Sequence, residues 1–308
     1  MINFNKKPLF LAPMAGFSDR PFRNVVKKFG ADVTVSEMIS SNALVYESAK
    51  TLQMLEKAEL EKPYIVQIAG GDEEVVKRAV LMLNDFDFID GIDFNCGCPV
   101  NKVLKQCAGS ALLENLELFK KLIFTLKKYN KKPLTSVKFR LGFNEKYPEK
   151  IAKICEELGV DFVSIHGRTR KQLYSGRADY EAIARAKACV SIPVIANGDI
   201  DATNADEVYK ITACDGLMIG RASVGRPWIF YEIKRGESVD GALKKTIILS
   251  HFEEMMRHYG NSGVGIFRKH LHEYSRGQKD ASVFRDAINR INDADQMRMM
   301  IEDFFGSL

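Results

Sequence analysis

Cys98 lies between Gly97 and Pro99, just past a β-branched and aromatic run that begins at Gly91. A rigid turn after a strand is a poor place to pack a cysteine and a good place to present one. An ordinary thiol titrates near about 8.5, so at neutral pH this group is protonated and suited to giving up a proton. Packing is the competing reading. Lys138 stands between Val137 and Phe139, and in a strand its side chain leaves on the face opposite to theirs. A lysine so enclosed needs an anion. A structural carboxylate could supply it, or the pyrimidine edge of a flavin, which gains negative charge on reduction.

His166, on an apolar run, reads by itself as a core histidine. With Arg168 two residues on, an extended backbone would turn both toward one anionic or carbonyl-rich ligand. Gly198 and Gly220 let backbone N–H groups approach a ligand closely, and Arg221 adds a charged clamp, a combination suited to phosphate. Glu37 has no such partner in the sequence and reads as structural. Cys96 and Cys98 are separated by one residue with no second pair downstream, which is not zinc-knuckle spacing, and no metal site is expected.

Groups so far apart in the chain need a frame that gathers them. Strand-like runs recur near residues 9–13, 33–36, 64–68, 91–95, 136–139, 162–166, 194–197 and 216–220, each followed by helical spacing. That alternation predicts a (β/α)8 TIM barrel. A doubly wound open sheet is the alternative, but no G-x-G-x-x-G follows the first strand. In a barrel the reacting groups sit at the C-terminal ends of strands. Met14 to Gly16, Glu37, Gln67, Asn95, Lys138, His166, Asn197 to Asp199 and Gly220-Arg221 all fall there. Asp72 is placed to cap a helix whose Val75, Val76, Ala79, Val80 and Leu83 share a face, and Pro148 to open another that Gly159 ends.

Past about residue 236 the strand signals stop. Residues 1–236 are therefore expected to form the barrel and 237–308 a small all-helical domain, with Ile247, Ile248, His251, Phe252 and Met255 on one helical face. Between Met256 and Lys279 the basic residues Arg257, Arg268, Lys269, Arg276 and Lys279 meet only Glu273. A solvated helix face and a site for a polyanion are both consistent with that cluster. The net charge of +5 decides nothing, and 46% apolar with 28% charged residues is ordinary folded-protein usage. Six scattered cysteines, the polar start of the chain and the lack of a long apolar span fit a reduced, cytoplasmic protein with no membrane segment.

Taken in order, Ala12-Pro13-Met14-Ala15-Gly16, Gln67, Asn95-Cys96-Gly97-Cys98-Pro99, Ala108-Gly109-Ser110-Ala111, Lys138-Phe139-Arg140, His166-Gly167-Arg168-Thr169, Asn197-Gly198-Asp199 and Gly220-Arg221 resemble the motifs of the tRNA-dihydrouridine synthases. Arg268-Lys269-His270 with Tyr274 resembles the basic helix of that family's helical domain, most of all in its bacterial B branch. The resemblance runs nearly the whole chain. It departs at Cys96, where that branch more often has methionine, and this puts a second thiol beside Cys98.

The resemblance implies that Pro13, Met14, Ala15, Gln67, Lys138, His166, Asn197, Gly198, Asp199, Gly220 and Arg221 hold FMN. It implies Cys98 as proton donor, Asn95 and Arg168 as uracil ligands, and Arg268, Lys269 and His270 as tRNA contacts. The implied reaction is reduction of the C5=C6 bond of a D-loop uridine, with hydride from reduced FMN to C6 and a proton from Cys98 to C5. No dinucleotide-binding motif is present, so NADPH or NADH would visit the open flavin face and leave. The base must leave its stack to react. A monomer is expected. An FMN barrel acting on a free small molecule would not need the helical domain, and an RNA-binding scaffold would not need the flavin set.

Overall fold

The computed structural model describes residues 2–307; residues 1 and 308, the outer ends of the two expected domains, lie outside them. Among the described residues nine strands form one parallel sheet: β1 (Leu9–Leu11), β2 (Val33–Val35), β3 (Ile39–Ser40), β4 (Tyr64–Ala69), β5 (Gly91–Cys96), β6 (Leu134–Arg140), β7 (Phe162–His166), β8 (Val194–Asn197) and β9 (Gly216–Ile219). Neighbours follow chain order, β1 pairs β9, and β2 pairs β4. The sheet therefore closes into an eight-stranded barrel with helices outside. All eight expected strands are present. The two-residue β3, which only extends the rim beside β4, is too short to leave a sequence pattern.

Alternation along the strands sorts the side chains. Val66, Ile68, Ile92, Phe94, Val137, Phe139, Val163, Ile165, Ala196 and Leu217 belong to the core between barrel and helices. The opposite parity faces inward. Phe10, Val33, Ile65, Phe162, Ile195 and Met218 fill the lower barrel, and Phe4, in the short N-terminal turn, packs its ring 5.7 Å from Phe162. Higher up the same inward rows turn polar, with Gln67, Asp93, Asn95, Ser136, Lys138, His166 and Asn197. Register sets Gln67 beside Asp93, Asn95 beside Lys138, and His166 between Arg140 and Asn197.

The helices follow their local signals. Asp72 accepts from the N–H of Val75 to cap Glu73–Asn84, which buries Val76, Ala79, Val80 and Leu83. Pro148 opens the helix that ends at Glu157. After β9 the chain is helical, and a second apolar cluster gathers Ile247, Ile248, Phe252, Met255, Phe267, Leu271, Phe284, Ile288, Met297 and Ile301. It is not isolated from the barrel. In the Arg20–Lys28 helix, Phe22 and Val26 pack into the barrel core while Val25 packs into the helical one. No described helix is long and apolar enough to cross a membrane.

The loop after β1 hangs on a buried ion pair absent from the sequence reading. Arg23 donates from Nε to Glu61 Oε1 at 2.7 Å, and the two side chains are 1% and 0% exposed. Arg23 also donates to the carbonyls of Ser18 and Glu56. Removing one partner strands a buried charge, so Glu61→Ala should lower unfolding free energy by about 3–5 kcal/mol. Urea denaturation measures this, and a loss below about 1 kcal/mol, a surface-pair value, would contradict the ion pair's role.

Candidate active site

Cys98 is clamped through its backbone. Its N–H, and that of Gly97, donate to Asn95 Oδ1 at 2.9 and 3.1 Å. Its carbonyl accepts from the N–H and Oγ of Ser110 at 3.0 and 2.9 Å. Gly109 makes that approach possible, because a Cβ there would meet the Cys98 carbonyl oxygen at 2.8 Å with φ at +62°. The thiol is half-buried. Burial raises its pKa, against the Val100 backbone and the charges of Arg140 and Lys138, so it is a protonated acid at neutral pH. Cys96 is fully buried on the opposite face of β5. The second thiol is thus walled off, and the exposed cysteines are Cys107 and Cys189.

Asn95 is oriented in turn. Its Nδ2 donates to Gln67 Oε1 at 2.8 Å, and Gln67 Nε2 donates to Asp93 Oδ2 at 2.7 Å. Ser136 Oγ donates to the other oxygen of Asp93 at 2.6 Å. Burial raises the Asp93 pKa to about 6, against the hydrogen bonds of Ser136 and Gln67 and the charge of Lys138. One Nδ2 hydrogen of Asn95 remains for a ligand. Gln67, expected to touch the cofactor, is 0% exposed, and one donor and one acceptor site of its amide hold Asp93 and Asn95. It acts through Asn95. Asp93 itself was missed, because an acid in a strand-like run carries no local sign of its role.

Lys138 faces the mouth as expected and donates to Asn197 Oδ1 at 2.9 Å, while Asn197 Nδ2 donates to the Met218 carbonyl at 2.7 Å. Desolvation, then Arg140, lowers the lysine's pKa to about 8, with Asp93 opposing. His166 is nearly buried, and desolvation plus Lys138, Arg140, Arg168 and Arg221 push its pKa down to about 2. It is a neutral imidazole whose Nδ1 has no protein partner.

Arg168 does not join it. The strand ends at His166, the backbone turns, and the guanidinium binds Asp199 and the carbonyls of Ser175 and Gly176. Arg168 is 2% exposed, so it is a buried brace for Asp199 rather than a uracil donor. Asp199 also accepts from the Ala178 N–H and from Arg221. Burial opposes its ionisation, but the Arg168 and Ala178 hydrogen bonds outweigh that and lower its pKa. Its carboxylate is therefore engaged by protein, and only its backbone is offered to an anion. Gly198, at φ +114°, packs against His166 and Ala178, where a Cβ would stand 3.3 and 3.1 Å away. Around Gly220 a Cβ would meet nothing closer than 3.6 Å, and Arg221 is largely exposed.

On the β1 side, Pro13 and Met14 are half-buried and Ala15 exposed. Ser18 Oγ accepts from the Met14 N–H, and Glu37 accepts from the Gly16 N–H. Glu37 is the anchor of that loop. Across the mouth the exposed Tyr174 ring lies 4.7 Å from the Arg221 guanidinium, 5.5 Å from that of Arg140 and 6.4 Å from His166. Its only sequence signal was an aromatic in a polar loop.

The basic triplet separates. Consecutive helical residues point about 100° apart and cannot share a face. Arg268 donates to the Ile291 carbonyl and to Asn292 Oδ1, both at 2.7 Å, as a brace within the helical unit. His270 is 0% exposed, among the rings of Phe17, Phe22, His251 and Phe267; as placed, it cannot touch a nucleic acid. Lys269 alone turns toward the barrel mouth, its Nζ 5.6 Å from the Phe17 ring centre and 3.9 Å from where a Gly16 Cβ would lie.

The family model described as dihydrouridine synthase (Dus) matches residues 10–307. A Helicobacter pylori (strain ATCC 700392 / 26695) protein named probable tRNA-dihydrouridine synthase is 49% identical over 304 residues, covering 98% of this chain and 93% of its own. The tRNA-dihydrouridine synthase B of Pseudomonas aeruginosa is 40% identical over 309 residues, with 96% and 92% covered. Among solved structures, the old yellow enzyme from Trypanosoma cruzi matches with TM-score 0.56 at 8% identity, over 75% of this chain and 89% of that one. That last likeness is one of fold. The family model and these relatives show that the chain belongs to the dihydrouridine synthase family, a flavin-dependent oxidoreductase of the tRNA-dihydrouridine synthase kind.

Proposed function

We propose that the chain reduces the C5=C6 bond of a D-loop uridine in tRNA, using FMN held at the C-terminal mouth of the barrel and NADPH, or NADH, as the source of electrons. One observation carries the reading: a protonated thiol, pinned by Asn95 and Ser110, shares the mouth with a cationic lysine and a buried imidazole nitrogen that has no partner.

The residues present fit FMN. The unpartnered Nδ1 of His166 and the Nζ of Lys138 suit the polar edge of a flavin. The backbone around Gly198, Asp199 and Gly220, with Arg221 free to turn from Asp199, suits its phosphate. Pro13, Met14, Ala15 and Asn197 line the remaining wall. When bound, reduced FMN supplies the hydride that goes to C6 of the uracil.

The chain's own residues do the rest. Cys98 Sγ gives its proton to C5 and is reprotonated from solvent. The free Nδ2 hydrogen of Asn95 donates to a uracil carbonyl as charge develops there. Lys269 meets the tRNA backbone at the mouth, so residues 1–236 act as the flavin domain and 237–308 as the tRNA domain of a cytoplasmic, monomeric enzyme. NADPH leaves before tRNA enters, which gives ping-pong kinetics.

Incubating the purified, FMN-loaded protein with NADPH and unmodified tRNA should add two mass units to a D-loop fragment; no gain on any tRNA of the source cell would sink the reading. Because burial raises the Cys98 pKa, the thiol should stay protonated through neutral pH, and the first loss of turnover on the alkaline side should come near pH 8 as Lys138 loses its charge. A fall centred near pH 7 would mean the acid is another group. Lys269→Ala should weaken tRNA binding several-fold and reduce its salt slope by about one, with stability kept, whereas Arg268→Ala should chiefly destabilise the helical unit. An unchanged salt slope in Lys269→Ala would remove that contact.

A further inference from the structure

Where the helical unit meets the barrel, Asp19, His251 and His270 each aim one potential ligand atom into common space, and these atoms lie within 4.8 Å of one another. The three are 4%, 0% and 0% exposed. Asp19 Oδ1 accepts the Phe22 N–H at 3.1 Å, and Oδ2 accepts the Tyr259 hydroxyl at 3.2 Å. His251 Nδ1 pairs with the Tyr274 hydroxyl at 3.0 Å. His251 Nε2 and both ring nitrogens of His270 have no protein partner. Buried polar atoms are almost always satisfied, and three orphans on two adjacent imidazoles, their ring centres 4.6 Å apart, point to something held between them.

We propose that Asp19, His251 and His270 bind one divalent ion of the zinc class at the junction of barrel and helical unit. Two imidazoles and one carboxylate are a zinc-type donor set, while the nitrogen ligands disfavour calcium and magnesium. Bonds of about 2.0–2.1 Å place tetrahedral ligands roughly 3.3 Å apart, so small side-chain rotations close the site around an ion. The Tyr274 hydroxyl on His251 Nδ1 matches the way metal-bound histidines are held by their other nitrogen. A fourth position remains for water.

The ligands come from the cap of the Arg20–Lys28 helix and from the helices Gly241–Tyr259 and Ser262–Tyr274. An ion there fastens the helical unit to the barrel three residues from Gly16, and so fixes where Lys269 enters the mouth. None of the six cysteines takes part. Because all three ligands are sealed from solvent, the ion is captured as the helical unit docks, and chelators remove it slowly.

The test is metal analysis of tag-free, FMN-loaded enzyme from zinc-supplemented cells, desalted in chelator-treated buffer. About one zinc per chain should remain, and unfolding then refolding with EDTA should lower Tm by several degrees compared with refolding in zinc. Asp19→Asn keeps the capping oxygen, and with His270→Gln it should drop bound zinc to about a tenth of an equivalent or less. If His270→Gln does not accumulate folded, Asp19→Asn decides alone. Zinc-free wild-type enzyme after refolding with equimolar zinc would overturn the proposal in favour of bridging water. Full zinc in both variants would overturn it by placing the ion elsewhere, such as at the exposed Cys107 or Cys189.

Discussion

The buried carboxyl of Asp93 is the constraint from which the rest of the site follows. An acid inside a closed barrel is tolerated only if hydrogen bonds and charge offset its desolvation. Ser136 and Gln67 supply the hydrogen bonds and Lys138 the charge. Gln67, so held, fixes Asn95, and Asn95 fixes the backbone of Cys98. Three adjacent strands thus aim one thiol, and the same acid helps keep Lys138 charged in a place that desolvation makes hostile to it. The barrel's lower half needs no such network, because its inward rows are apolar.

The strands were legible because a parallel barrel buries both faces of each strand and leaves continuous apolar runs. The inward lysine was legible for the same reason, since one polar residue between two core residues fixes its face. What failed was inference from adjacency. Arg168 follows His166 by two, but the strand stops between them. Arg268, Lys269 and His270 are consecutive, but a helix sends them to a brace, a mouth and a core. Gln67 was placed at the barrel mouth, but its hold on Asp93, 26 residues away, leaves no local sign in the sequence. The Arg23–Glu61 pair, the Tyr174 ring and the Asp19, His251 and His270 cluster are likewise long-range products of the fold.

The junction between barrel and helices gives this family member its second surface. The Arg20–Lys28 helix serves both cores, as does the Ile229–Arg235 helix through Phe230 and Tyr231, and polar ties from Asp19 to Tyr259 and from Lys28 to Glu254 flank the first of them. That docking brings Lys269 beside Gly16 and Phe17.

In the proposed reaction Cys98 delivers a proton in the same half-reaction that consumes reduced flavin. Rapid mixing of pre-reduced, FMN-loaded enzyme with excess unmodified tRNA measures that half-reaction alone, through the return of oxidised-flavin absorbance. Cys98→Ala should reoxidise on the order of 10²–10⁴-fold more slowly than the native enzyme, yet accept electrons from NADPH at the native rate. Equal reoxidation rates for the two proteins would contradict the account.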